Sequence, residues 1–188
     1  MKLEFINYNF NCDSIILKES NRKDEFLKNI YVWSGCKGLE LIYRGSRDGL
    51  TSKDFHNKCD NKGPTICLYK NEKGNIFGGY TSISWLSNSK EVLDKNSFIF
   101  TLTNIHVTNP IKFLSDKEKK VKHHINYGPT FVSDIWIRTN FSEKNNDSDF
   151  PSGWKDSSGK GKSIFTGDSN NNNVLFALSE VEVFKPLN

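Results

Sequence analysis

Thr65-Ile66-Cys67-Leu68-Tyr69-Lys70, followed after Asn71-Glu72-Lys73-Gly74-Asn75 by Ile76-Phe77-Gly78-Gly79-Tyr80-Thr81, is the stretch that decides the fold class. Both runs are rich in β-branched and aromatic residues, and the segment between them is polar and contains glycine. That pattern reads as an antiparallel hairpin. Gly78-Gly79 sits inside the second run, where glycine weakens a strand. Its presence there predicts a bulge or a close approach of another part of the chain.

Working toward the N-terminus, Leu39 to Arg44 reads as a strand. Arg44-Gly45-Ser46-Arg47-Asp48-Gly49 reads as a turn, because Asp-Gly favours positive φ. Arg44, Arg47 and Asp48 are expected to form a charged network at that corner. Thr51-x-x-Asp54 is a capping-box start for a short helix. Phe55 and Cys59, four apart, share its inward face, and Asn61-Lys62-Gly63-Pro64 ends it. Asp24 to Ile30 reads as a short helix with Phe26, Leu27 and Ile30 as its apolar stripe. Residues 1–23, with short apolar stretches at Phe5-Ile6 and Ile15-Ile16-Leu17, are read as an N-terminal extension or strand, and 24–188 as the domain.

Toward the C-terminus, Ser97 to Leu102, Ile111 to Leu114, Ile135 to Arg138, Val174 to Leu178 and Val181 to Phe184 read as further strands. Glu180 and Glu182 are two apart and share a face, with Val181 and Val183 on the other, the alternation of an edge or half-exposed strand. Thr139 to Asn173 is polar, but Phe150, Trp154, Ile164 and Phe165 interrupt it, which predicts an ordered loop laid over the sheets. Trp33, Phe77, Trp85, Phe98, Phe100 and Trp136 are core candidates, with Phe98 and Phe100 on one sheet face. Many strands, few short helices and no βαβ alternation give an α+β fold: a two-layer antiparallel β-sandwich flanked by short helices.

Hydrophobic residues are only 36% of the 188, but an aromatic share of 13% supplies large core side chains. Lys and Arg number 26 against 22 Asp and Glu, a net charge of +4. The charges are interspersed, so no nucleic-acid partner is expected. Lys117 to Lys122 is the densest basic stretch. It reads first as a solvated segment and second as a surface for an anionic partner. No apolar run approaches the roughly 18 residues of a membrane span, so no membrane insertion is expected. Met1 to Phe10 lacks the apolar core of a secretory signal. A cytoplasmic location, with Cys12, Cys36, Cys59 and Cys67 reduced and mostly buried, is the expectation.

The chemistry-bearing clusters are weak. His56 and Cys59, three apart on a helix, could face each other, but a nucleophilic thiol needs a lowered pKa and an oriented base. Zinc would need three or four ligands, and two are visible. His123 and His124 are adjacent, so on a strand they point to opposite faces. Ser158-Gly159-Lys160-Gly161-Lys162-Ser163 resembles the end of a phosphate-binding loop, but the position of its first glycine is Asp156. An exposed Trp154 would suit a carbohydrate or small-ligand site.

Several motifs in register then identify a resemblance. Leu41 to Gly49, Phe55-His56, Cys59-Asp60, Lys62-Gly63-Pro64-Thr65, Ile76-Phe77-Gly78-Gly79-Tyr80 and Trp85 look like the TLDc domain. Ser97 to Leu102, Tyr127-Gly128-Pro129-Thr130-Phe131 with Asp134-Ile135, and Glu180 to Phe184 are similar to its later landmarks. One departure is the absence of a glycine run after Phe131. The resemblance implies two packed antiparallel sheets, no catalytic machinery and no cofactor. It also implies a link to oxidative-stress protection, and a protein partner that in some members is the vacuolar proton-pumping ATPase. The signature or candidate interaction residues are Arg44, Ser46, Arg47, Asp48, Gly49, Gly63, Pro64, Gly78, Gly79, Gly128, Glu180 and Glu182. The expected function is therefore a non-catalytic, monomeric interaction module. The alternatives are a thiol-dependent peroxide-handling enzyme and a small-ligand or carbohydrate-binding sandwich.

Overall fold

A computed structural model describes residues 12–115, 117–169 and 174–188. In chain order the elements are α1 (Ile15–Lys18), α2 (Lys23–Ser34), β1 (Gly38–Arg44), α3 (Gly45–Asp48), α4 (Ser52–Cys59), β2 (Thr65–Asn71) and β3 (Ile76–Thr81). They continue with β4 (Lys90–Leu93), β5 (Phe98–Thr103), β6 (Ile111–Phe113), β7 (Lys120–His123), β8 (Thr130–Phe131), β9 (Asn146–Asp147), α5 (Ser163–Thr166), β10 (Leu175–Phe176) and β11 (Leu178–Leu187).

The hairpin forms as the sequence predicts: β2 and β3 pair antiparallel from Thr65–Thr81 to Lys70–Ile76. Its turn is fixed by the Asn71 side chain, whose Oδ1 accepts from the backbone N–H of Lys73 (3.0 Å) and Asn75 (2.9 Å). The hairpin lies inside a six-stranded sheet of order β1-β11-β2-β3-β5-β6, with every neighbouring pair antiparallel. A three-stranded sheet β4-β7-β8 and the short pair β9-β10 complete the strands.

Both faces of the large sheet are covered, which is why β2 is buried at nearly every position. On one face lie α1 and α2. Phe26, Leu27, Ile30 and Tyr31 of α2 pack with Ile66, Leu68, Phe98, Phe100, Leu102 and Phe184. The helix is longer than the predicted Asp24 to Ile30. It runs to Ser34 because Gly35, at φ 74°, caps it with an N–H bond to the Tyr31 carbonyl. Residues 12–23, read as part of an extension or strand, carry helix α1, N-capped by Ser14, whose Oγ accepts from Leu17 N–H. Ile16 and Leu17 enter the same core as α2. Phe5-Ile6 lies outside the described residues.

The opposite face meets the smaller sheets and the long polar segment. There Tyr69, Phe77, Ile99, Val181 and Val183 pack with Phe131, Phe141, Phe150, Trp154 and Phe165. The segment is an ordered cover, as the sequence predicts: Phe150, Trp154, Ile164 and Phe165 are all buried. It is tied down by the hairpin turn, since Asn71 Nδ2 donates to the Phe165 carbonyl at 2.8 Å.

Gly78-Gly79 marks a close approach. A Cβ at Gly78 would lie 2.0 Å from the Cys67 carbonyl oxygen, and one at Gly79 would lie 2.4 Å from the Phe131 ring. The strand therefore carries no side chain where β2 and the second layer press against it.

Three expectations are corrected. Ile135 to Arg138 is not a strand but a pair of isolated bridges, Phe131–Ile135 and Trp136–Asp147. The chain reverses at Ser133, at φ 81°, and side chains then take the backbone bonds a strand would use. Ile137 N–H donates to Thr130 Oγ1 (3.0 Å) and Arg138 N–H to Asn146 Oδ1 (2.9 Å). Trp136 and Trp33 are half-buried, not central, although Trp33 still packs against the helix-side core. Finally, β11 is an interior strand lying between β1 and β2, so both of its faces are buried and the half-exposed reading of Glu180 and Glu182 fails.

Candidate functional site

Seven of the twelve signature residues converge at one corner, where β1 runs into α3 beside β11. Arg44 and Glu182 are cross-strand partners. Glu182 is fully buried, and its carboxylate accepts from Arg44 Nε (2.9 Å), Ser14 Oγ (2.5 Å) and the Ile15 N–H (2.9 Å). Burial pushes its pKa up, and these donors hold it partly back. The Arg44 guanidinium also reaches Asp13, at the carbonyl (2.5 Å) and at the carboxylate (3.2 Å). A buried pair this fully bonded fixes geometry; breaking one side leaves the other charge stranded. It clamps α1 onto the sheet.

Glu180 Oε1 accepts from the backbone N–H of Ser46 (3.1 Å) and Val181 (2.9 Å), so it holds the first turn of α3. Asp48 accepts from Arg44 N–H (3.0 Å) and from Arg47 Nη2 (2.7 Å). The Arg47 hydrogen bond is the main cause of an Asp48 pKa lowered to about 2. Arg44, Arg47 and Asp48 do share the corner, but the Arg44 side chain reaches across to β11 and only its backbone N–H meets Asp48. At Gly49, φ 109°, a Cβ would lie 2.2 Å from the Asp54 carboxylate that caps α4, so glycine is required. Thr51 and Asp54 form the full capping box. Of these residues only Ser46 and Arg47 are exposed. Gly63 and Pro64 precede β2, Gly78 and Gly79 lie in β3, and Gly128 packs against Phe141 and Ile137. Those five belong to the scaffold elsewhere and do not join the corner.

The His56–Cys59 pair does not assemble. His56 is buried, with Nδ1 2.7 Å from Asp60 Oδ1 and Nε2 3.0 Å from the carbonyl oxygens of both His124 and Tyr127. Both ring nitrogens are engaged by oxygens, and neither is left for a thiol. Ser87 Oγ donates to the other Asp60 oxygen, at 2.7 Å. All four cysteines are free thiols and buried, as the sequence predicts. Burial pushes Cys12 and Cys67 up to about 12 and raises Cys36 and Cys59 as well, the opposite of an activated nucleophile.

His123 and His124 do point apart. His123 is buried near Trp85, and neither of its ring nitrogens has a hydrogen-bond partner among the described residues. Burial lowers its pKa, which favours the neutral ring. In the glycine-lysine loop, the Asp156 carboxylate takes the backbone N–H groups that a phosphate would use. Its Oδ1 accepts from Ser158 N–H (2.8 Å) and Gly159 N–H (3.0 Å), and its Oδ2 from Gly161 N–H (2.7 Å). Trp154 is 2% exposed, which removes the motive for a sugar site on its ring. An open cleft of about 640 Å³ does exist nearby, lined by Trp136, Asp149, Pro151, Ser152 and Lys162.

Sequence reasoning named Asp134 only as a landmark of the resemblance and gave it no role. It is buried and accepts from the backbone N–H of Ser152 (2.7 Å), Gly153 (2.5 Å) and Trp154 (3.2 Å), anchoring the long cover to the second layer. Burial raises its pKa to about 6 against those donors. A lone aspartate before an apolar residue carries no signal of this; only the fold brings residues 134 and 152–154 together.

No helix among the described residues is long and apolar enough to cross a membrane. The family model described as TLDc domain matches residues 10–186, nearly the whole chain. No curated protein matches.

Proposed function

The chain belongs to the TLDc domain family, and from that premise we propose that it is a non-catalytic module that works by binding another protein. The observation that carries this reading is the state of its reactive groups. The cysteines are buried with raised pKa values, His56 is engaged on both nitrogens, and the Asp156 carboxylate takes the N–H groups of the glycine-lysine loop. Groups disposed in this way shape a scaffold, and the outer surface is left to do the work. The proposed setting is cytoplasmic, in protection against oxidative stress, with subunits of the vacuolar proton-pumping ATPase as the partner.

The test is co-precipitation of the chain with the pump's subunits under reducing and oxidising conditions. Recovery in either condition supports the proposal, and absence from both removes the pump as partner. A parallel measurement addresses the thiol alternative. Mass spectrometry after mild peroxide should find the four cysteines unmodified in the folded protein; selective sulfenylation of one of them would reinstate peroxide chemistry.

A further inference from the structure

Residues 90–124 contain seven lysines against four acidic residues, and β4 forms an outer edge there. The order β4-β7-β8 leaves one side of β4 without a neighbouring strand among the described residues. The direction of its backbone groups follows from the register. Leu93 is paired with Lys120 and Val92 with Val121, and beyond the strand Asp94 N–H donates to the Lys119 carbonyl at 2.9 Å. In an antiparallel ladder alternate residues bond to the same neighbour. Asp94, Val92 and Lys90 therefore face β7, and the N–H and C=O groups of Glu91 and Leu93 point outward. Lys120 confirms the phase from the other side, because its carbonyl accepts from Val132 N–H, toward β8.

The charges around this edge are mixed, with lysines in excess. Glu91 is neutralised by Lys122 at 3.1 Å, and Glu118 lies 3.7 Å from Lys120. Lys90, Lys95 and Lys119 have no acidic partner among the described residues, and Lys117 reaches only the Ser152 carbonyl, at 2.8 Å. At the end of β4 a basin of about 290 Å³ is lined by Leu93, Lys95, Ser115, Lys117, Glu118 and Lys119. Leu93 is 41% exposed and Leu114, close in sequence to this rim, 63%. Lysines on an open edge deter pairing with another neutral or basic strand, and the same lysines attract an acidic one.

Resting on the reading of the chain as an interaction module, we infer that the free edge of β4 accepts an extended, acidic segment of a partner protein as an added strand. Main-chain bonds at Glu91 and Leu93 would supply affinity. The ammonium groups of Lys95, Lys117 and Lys119, which line the basin at the end of the strand, would select the acidic side chains on one face of the added segment.

The probe is a short fluorescein-labelled peptide alternating glutamate and valine, followed by anisotropy with the whole chain. A lysine–valine peptide and phosphatidylserine vesicles serve as comparators. The glutamate peptide should bind, more weakly as salt rises, and the lysine peptide should not. K95E/K119E should lower affinity at least about tenfold. L93P removes an outward N–H without touching the ladder to β7, and should lower it by up to about tenfold, the scale of one or two lost hydrogen bonds. Should L93P fail to fold, amide exchange on the unaltered protein gives the same answer: the peptide must slow exchange at Glu91 and Leu93. Binding that leaves those two amides unprotected is charge adsorption alone and overturns the inference. Vesicle binding without peptide binding overturns it in favour of a membrane surface. If neither probe binds while pump subunits still co-precipitate, the edge proposal is lost and the module reading stands. Peptide binding without pump capture has the opposite meaning: the edge proposal stands and the pump is removed as partner.

Discussion

Arg44 and Glu182 meet inside the protein between two paired strands, whereas Lys95 and Lys119 stand at the end of an open strand. Both places are rich in charge, yet their construction is opposite. At the corner every carboxylate oxygen of Glu182 has a donor, and the ion pair holds α1, β1 and β11 in one arrangement. At the edge of β4 the ammonium groups outnumber their acidic partners among the described residues. Most residues conspicuous in the sequence as a signature build the interior, whereas the binding proposed here falls to lysines that read as an ordinary solvated stretch.

That contrast can be broken by measurement. The largest effect should come from E182A, which takes the acceptor from Ser14 Oγ and the Ile15 N–H and leaves the partly buried Arg44 guanidinium with Asp13 alone. A loss of about 3–5 kcal/mol in denaturant unfolding is expected, and a loss under about 1 kcal/mol would mean that the corner is no clamp. G79A should follow at about 1–3 kcal/mol, because its methyl group must displace the Phe131 ring; full stability would show that the second layer yields at that contact. D134N should cost about 1–3 kcal/mol near neutral pH, because asparagine keeps one accepting oxygen and sets an NH2 donor against backbone N–H where the second carboxylate oxygen now accepts.

The Asp134 case also fixes a pH dependence. Its pKa is raised from 3.8 to about 6 by burial. Between those values the folded protein binds more protons at this site than the unfolded chain, so stability from this group falls as pH rises. The stability difference between the unaltered chain and D134N should therefore move in favour of D134N from about pH 4 to about pH 6, read by thermal melts across that window. A flat difference would mean that Asp134 is better solvated than its position implies. The smallest effect belongs to the edge of β4: K95E/K119E should stay within about 0.5 kcal/mol of the unaltered chain. A larger change would give those lysines a structural role and erase the contrast.

Much of the fold was legible because its signals are local. The Thr51–Asp54 capping box, the Asn71–Asn75 turn and the runs flanking it are each decided within a few residues, and each appears where the sequence places it. Gly78-Gly79 was legible as a close approach, though not which groups approach. What failed depends on distant partners. The alternation at Glu180–Val183 looks half-exposed until β1 and β2 are known to flank it and α1 to cover it. Ile135 to Arg138 has strand composition, but Thr130 and Asn146 take its backbone bonds, and nothing local announces that. The candidate site divides in the same way. The buried state of the cysteines followed from their chemistry. The strand at Lys120–His123, and with it the open edge of β4, was hidden because a lysine-rich run carries a weak β signal.

The position of β11 also governs how the chain can assemble. Its neighbours are separated from it by more than a hundred residues, so the sheet cannot close around the hairpin until residues 178–187 have been synthesised and threaded into place. Such non-local pairing predicts slow folding. During translation β1 and β2 each wait with an unsatisfied side, a period in which chaperone protection or misassociation decides the yield.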